Sequence, residues 1–154
     1  MAGHSTGDLI CLPEEPQWKN YTTNDIRYSA TAYAIPYYLH GNDSSFFSTV
    51  NTGGRQLQSN PVPCAVCYVP QRSTSVMMPA STNCPVGWTQ EYDGYIVANS
   101  VSGSSYICVD KAPEVTNGDS NSSYGVRVVK VQCGVLPCST YLNYRELACV
   151  VCTK

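Results

Sequence analysis

Apolar residues along this 154-residue chain come in short runs, punctuated by Gly, Pro, Ser and Asn. The longest closes the chain: Glu146-Leu147-Ala148-Cys149-Val150-Val151-Cys152 holds no Gly or Pro and reads as a buried strand. Residues 125–133 alternate, with Val126, Val128 and Val131 set between Arg127, Lys130 and Gln132, as a half-exposed strand does. A turn at Cys84-Pro85-Val86-Gly87-Trp88 leads into a strand through Ala98, and residues 105–109 make another. Upstream the same reading predicts an edge strand at Leu9-Ile10-Cys11-Leu12 and a strand within residues 17–35, where Ile26, Tyr28, Ala30 and Ala32 alternate with polar neighbours. Phe46-Phe47-Ser48-Thr49-Val50 and residues 64–69 are read as further short strands. Turn signals fall at Gly41-Asn42-Asp43-Ser44, at Thr52-Gly53-Gly54 and in the tight loop from Cys133 to Cys138, and residues 113–123 form a polar loop. No stretch makes an amphipathic helix of ten or more residues. The pattern predicts an all-β, disulfide-rich single domain of short antiparallel strands over residues 1–154, with residues 1–16 as its opening segment.

Composition narrows the partners. Charged residues are 13% of the chain, the formal net charge is -2, and no basic block exists, which disfavours nucleic acid and anionic membrane surfaces. No apolar stretch reaches about 18 residues, so no membrane span is expected. Nine cysteines, Cys11, Cys64, Cys67, Cys84, Cys108, Cys133, Cys138, Cys149 and Cys152, point to an oxidising compartment and hence to a secreted protein. Sequons at Asn20, Asn42 and Asn121 agree with it. No signal peptide is read at Met1-Ala2-Gly3, so the secretory address is expected outside this chain. The count is odd. One thiol is left over, either buried or bridging two chains, and the spacing alone does not fix any pair. A two-fold homodimer is the expected assembly. Two Cys-x-x-Cys pairs offer a zinc site, but both lie in apolar strand-like runs rather than in Gly-rich knuckle turns, which favours disulfides.

From about residue 62 onward, order and spacing resemble the cysteine-rich C-terminal domain of sponge-type, short-chain invertebrate collagens, a domain shared with a galactose-binding lectin of a sea anemone. The residues that carry the resemblance are Cys64-Ala65-Val66-Cys67, Arg72-Ser73-Thr74, Met78-Pro79, Cys84-Pro85-Val86-Gly87-Trp88 and Glu91-Tyr92-Asp93-Gly94-Tyr95. They continue with Cys108-Val109-Asp110, Pro113-Glu114, Leu136-Pro137-Cys138 and Arg145-Glu146-Leu147-Ala148-Cys149-Val150-Val151-Cys152-Thr153-Lys154. Cys11-Leu12-Pro13 and Pro16 resemble the family's opening motif. The chain departs from the pattern over residues 21–58, carries Tyr144 where the family has Gly before Arg-Glu, and holds no Gly-X-Y tract. The resemblance implies a secreted invertebrate domain, and in free-standing form a lectin for galactose-containing glycans.

Two groups of side chains fit that expectation. Glu91, Asp93, Asp110 and Glu114 supply carboxylates of the kind calcium takes, and Glu91 and Asp93, two apart, would share one face of a strand. The competing reading is that they are solvated turn acids. Trp88, Tyr92 and Tyr95 are aromatic candidates for the apolar face of a sugar, with Arg145 and Glu146 for its hydroxyls. Against this, Trp88 reads more readily as a core residue beside a disulfide, and Tyr92 and Tyr95 fall on opposite faces. His4 and His40 lie in no catalytic motif, so no enzyme is expected. The rival function is an extracellular-matrix or assembly module that binds protein rather than sugar.

Overall fold

The computed structural model describes residues 9–13, 15–19, 34–99, 105–116 and 125–154. The strand expected within residues 17–35 therefore lies largely outside the described residues, as do the sequons at Asn20 and Asn121. Five antiparallel strands form one sheet: β1 (Ser75–Pro79), β2 (Thr89–Asn99), β3 (Tyr106–Asp110), β4 (Val126–Val128) and β5 (Ala148–Thr153). The all-β expectation holds. The order is β1-β5-β2-β3, with β4 also on β2.

β5 sits between β1 and β2 and is buried on both faces, which explains a run without polar alternation. β2 is the hub. Its first half pairs with β5, its second half with β3 on one edge and β4 on the other. The Cys108–Cys149 disulfide joins β3 to β5 with Cα atoms 5.8 Å apart. Two strands flanking a third in a flat sheet stand about 10 Å apart, twice the strand spacing. The two ladders overlap on β2 at Gly94 and Tyr95, and it is beside this overlap that the disulfide draws the two partners together. A Cβ on Gly94 would run into the Val109 carbonyl oxygen and come within 2.8 Å of the Lys111 amide nitrogen. Glycine is required there for space rather than for an unusual φ.

Alternation assigns each face its own core. Tyr95, Val97, Ile107 and Val109 join the larger cluster with Tyr37, Leu39, Phe47, Leu57, Val115, Val126 and Val128. Ile96, Cys108 and Cys149 form the smaller one, with Met77, Tyr92, Leu147 and Val151 against it. The larger core is roofed by residues 34–62, which carry a 3-10 helix, Gly41–Phe46, and otherwise irregular chain. Cross-links fasten that roof: Ser48 N donates to the Lys111 carbonyl (2.7 Å), Asn51 Nδ2 to Ala112 (2.8 Å) and Tyr37 Oη to Glu114 (3.2 Å).

Four strand expectations are corrected. Phe46 ends the 3-10 helix, and local bonds such as Ser45 Oγ to the Asn42 carbonyl (2.6 Å) and Thr52 Oγ1 to the Thr49 carbonyl (3.0 Å) replace a ladder. Residues 9–12 and 64–69 form no strand: they are tied by the Cys11–Cys64 disulfide and have no ladder partner among the described residues. The strand of residues 125–133 shrinks to Val126–Val128, with one bridge beyond it between Lys130 and Glu146. β1 was not legible from Met77 and Met78. Its edge position on β5 makes it a strand.

Burial, then the nearby Glu114 charge, pushes the Tyr37 hydroxyl above the ordinary tyrosine value of 10.0. Tyr92 is raised too, by burial first and then by Asp110 and Cys67. A folded-state value above the unfolded one contributes stability that is complete below the unfolded value and lost as pH rises through the folded one. Urea unfolding is therefore expected to show a stability plateau up to about pH 10 and a fall beyond it. Tyr37→Phe should flatten that fall and cost about 1 kcal/mol at neutral pH through the lost bond to Glu114. An unchanged alkaline limb in the variant would exclude Tyr37 as its source.

Candidate functional site

The residues singled out by sequence cluster on and around β2, but a β-bulge separates them. Gln90 pairs with Cys152 and Tyr92 with Val151, which leaves Glu91 as the extra residue. The bulge brings Gln90 and Asp93 together, Gln90 Nε2 donating to Asp93 Oδ1 at 3.3 Å. Glu91 goes elsewhere. Its carboxylate takes Arg72 Nη2 at 2.9 Å and accepts from the Thr153 hydroxyl, pinning the chain before β1 and the end of β5 to β2. The expectation that Glu91 and Asp93 share one role is corrected by this extra residue.

Asp93 and Asp110 sit on paired strands but not on one face: Asp110 lies across from Gly94, on the side of Ile96 and Cys108, while Asp93 alternates onto the side of Tyr95. Gly94 pairs with Asp110, and the Lys111 amide donates to the Asp93 carbonyl at 3.0 Å. Lys111 Nζ sits 2.9 Å from Asp93 Oδ1. Its pKa is raised first by that hydrogen bond and charge, with a smaller contribution from Asp110. Asp110 Oδ1 also accepts from the Ala112 amide at 2.8 Å, an Asx-type turn closing β3. The Lys111 ammonium is thus bound to Asp93, and Asp110 acts on it only through its charge. Glu114 is apart from them, and its backbone carbonyl, not its carboxylate, holds Tyr37. As placed, the four acids do not close around one ion, and among the described residues no three His, Cys, Asp or Glu side chains are grouped to hold a metal.

The aromatic candidates divide by face. Tyr95 is wedged against Phe46 and Phe47, with ring centroids 5.5 Å from each. Tyr92 leans on the smaller core and donates to the Cys108 carbonyl at 3.1 Å. Both are half-buried packing residues. Trp88 is half-buried after a turn in which its amide donates to the Pro85 carbonyl (3.1 Å) and Gly87 takes φ 84°. Arg145 is exposed and makes no ion pair with a described residue, whereas Glu146 is 3.4 Å from Lys130 Nζ, which also holds Asp43 at 2.8 Å. Arg145 and Glu146 therefore do not act as a pair. Tyr144 has φ 64°, the left-handed region that glycine favours, at the position where the resembling domains carry Gly.

The cysteines resolve into Cys11–Cys64, Cys84–Cys152, Cys108–Cys149 and Cys133–Cys138, with Cys67 free and exposed. Cys149 and Cys152 are thereby consumed, which removes the four-thiolate zinc alternative. Sequence reasoning missed Arg72, Lys111 and Lys130 as the cations that hold these acids; nothing in their spacing marked them. It also missed an apolar cavity of about 330 Å³ between Met77, Ile96, Val129, Leu136 and Leu147. No family model matches the chain, and no solved structure matches it. No described helix is long and apolar enough to cross a membrane.

Proposed function

We propose that this protein is a secreted, non-catalytic lectin for terminal galactose, multivalent as a homodimer. The observation that carries the reading is the cluster at Asp93, where Gln90 Nε2 and Lys111 Nζ both bond Asp93 Oδ1 and place a planar amide, a carboxylate and one ammonium together. Such groups hydrogen bond vicinal hydroxyls in pairs. Four disulfides fit an oxidising compartment. The resemblance of residues 62–154 to the sponge-type collagen domain supports galactose as the sugar. Calcium belongs to the proposal at this cluster alone: the ion would replace the Lys111 ammonium on Asp93, with Glu91, Asp110 and Glu114 left in their structural roles. Two sites per dimer would raise avidity for clustered glycans.

Calorimetric titration with galactose and lactose, first with calcium and then with EDTA, tests it. Binding is expected, and Asp93→Asn should weaken it tenfold or more. Heat that persists in EDTA discards the metal and keeps the lectin. No heat with any simple sugar sinks the lectin and leaves the matrix-module reading, which the fully exposed side chains of Val86 and Val135 favour.

A further inference from the structure

Residues 62–69 run without a turn or bend between Pro61 and Pro70. Within them, Cys64, Ala65, Val66, Cys67 and Tyr68 make no backbone hydrogen bond among the described residues. Five consecutive main-chain donors and acceptors thus face water, while the Val66 and Tyr68 side chains are each 87% exposed. An extended apolar segment with an unused ladder is a template for another strand. The chain also dictates what covers it. Eight cysteines are paired internally and the ninth, Cys67, is exposed within this segment, so any disulfide partner it takes comes from another molecule.

We propose that residues 66–68 pair antiparallel with the same residues of a second copy, across a two-fold axis at Cys67, and that the two Cys67 thiols close an inter-chain disulfide. The contact is self-complementary, as a two-fold interface must be. Centring the register on Cys67 sets Val66 opposite Tyr68 of the second copy, a β-branched–aromatic pair of the stabilising kind. Directly opposed residues in an antiparallel pair have Cα atoms about 4.5–5.5 Å apart, inside the roughly 4.4–6.8 Å that a disulfide spans. The surface is small. Two tyrosines burying about 150–250 Å² each, with two valines, stay well short of the roughly 1,200 Å² of a stable non-covalent interface. The covalent bond is therefore what holds the copies together.

The oxidant is a small-molecule disulfide such as oxidised glutathione. One Cys67 thiolate attacks it, its S–S bond breaks, and one small thiol leaves. The second Cys67 thiolate then attacks the Cys67 sulfur of the mixed disulfide and releases the other small thiol. Two protein thiols lose two electrons, one small disulfide gains them, and the two protons end on the released thiols.

This inference rests on the homodimer reading above, and its test separates the two. The full chain is incubated with oxidised and reduced glutathione, then followed by non-reducing electrophoresis, intact mass and sedimentation velocity. A dimer that reductant converts to monomer is expected, with a Cys67–Cys67 cross-linked peptide in the digest. Cys67→Ser should keep its four internal disulfides and sediment as a monomer at micromolar concentration. Val66→Lys with Tyr68→Lys, which keeps the thiol, should slow cross-linking tenfold or more. A Cys67→Ser dimer would overturn this surface while leaving a homodimer in place. A chain that stays monomeric with a glutathionyl group on Cys67, or a lysine variant that cross-links at the original rate, would also overturn it.

Discussion

Gly94→Ala is expected to destabilise the protein by about 3 kcal/mol or more, at the upper end of what overpacking costs. Most such substitutions in a strand are mild, because the added methyl finds open space above the sheet. Here it meets backbone, the Val109 carbonyl oxygen and the Lys111 amide, neither of which can rotate away as a side chain would. Relief requires β3 to move off β2, which breaks the ladder from Gly94 to Ala98 and strains the Asp93–Lys111 contact. With disulfides intact, a loss of about 3 kcal/mol corresponds to a drop in Tm of roughly 6–12 °C for a chain of this size. A variant that melts with the parent would show that β3 does not approach β2 as closely as described.

The second large effect concerns the disulfides. Removing Cys108–Cys149 by a double substitution to alanine should cost about 4 kcal/mol from chain entropy alone, since it closes a loop of sequence separation 41. Both sulfurs belong to the smaller core, so lost packing adds to that figure. Cys133–Cys138, of separation 5, is the internal control, with an expected cost of about 2 kcal/mol and both residues outside the two cores. Equilibrium unfolding of the two double variants in urea compares them. Equal costs would mean that the core bridge does not hold β3 against β5.

The legible elements are those whose residues pair with one another. β2, β3 and β5 are dense in β-branched and aromatic residues, and the alternation of Ile96 and Val97, or of Cys108 and Val109, maps directly onto the two cores. The same signal fails where side-chain-to-backbone bonds compete, as in Phe46 to Val50, and where no partner strand exists, as in Cys64 to Val69. Composition predicted the disulfides, but pairing is a property of the sheet: Cys84 and Cys108 reach Cys152 and Cys149 only because β5 lies beside β2. The acidic cluster was half legible. Period-two logic places Glu91 with Asp93, and one bulged residue undoes it, while the β2–β3 register, which spacing does not reveal, sets Asp110 across from Gly94 rather than Asp93.

The position of β5 has a consequence in time. The strand that separates β1 from β2 is made after both of them, so neither has its partner while the intervening chain is being synthesised. Cys84 and Cys108 emerge as reactive thiols alongside Cys67, and their proper partners arrive last. Early oxidation would join the wrong pairs, and thiol–disulfide exchange must undo them before β5 can slot in. Maturation of this protein is thus expected to wait on disulfide isomerisation rather than on collapse of the chain.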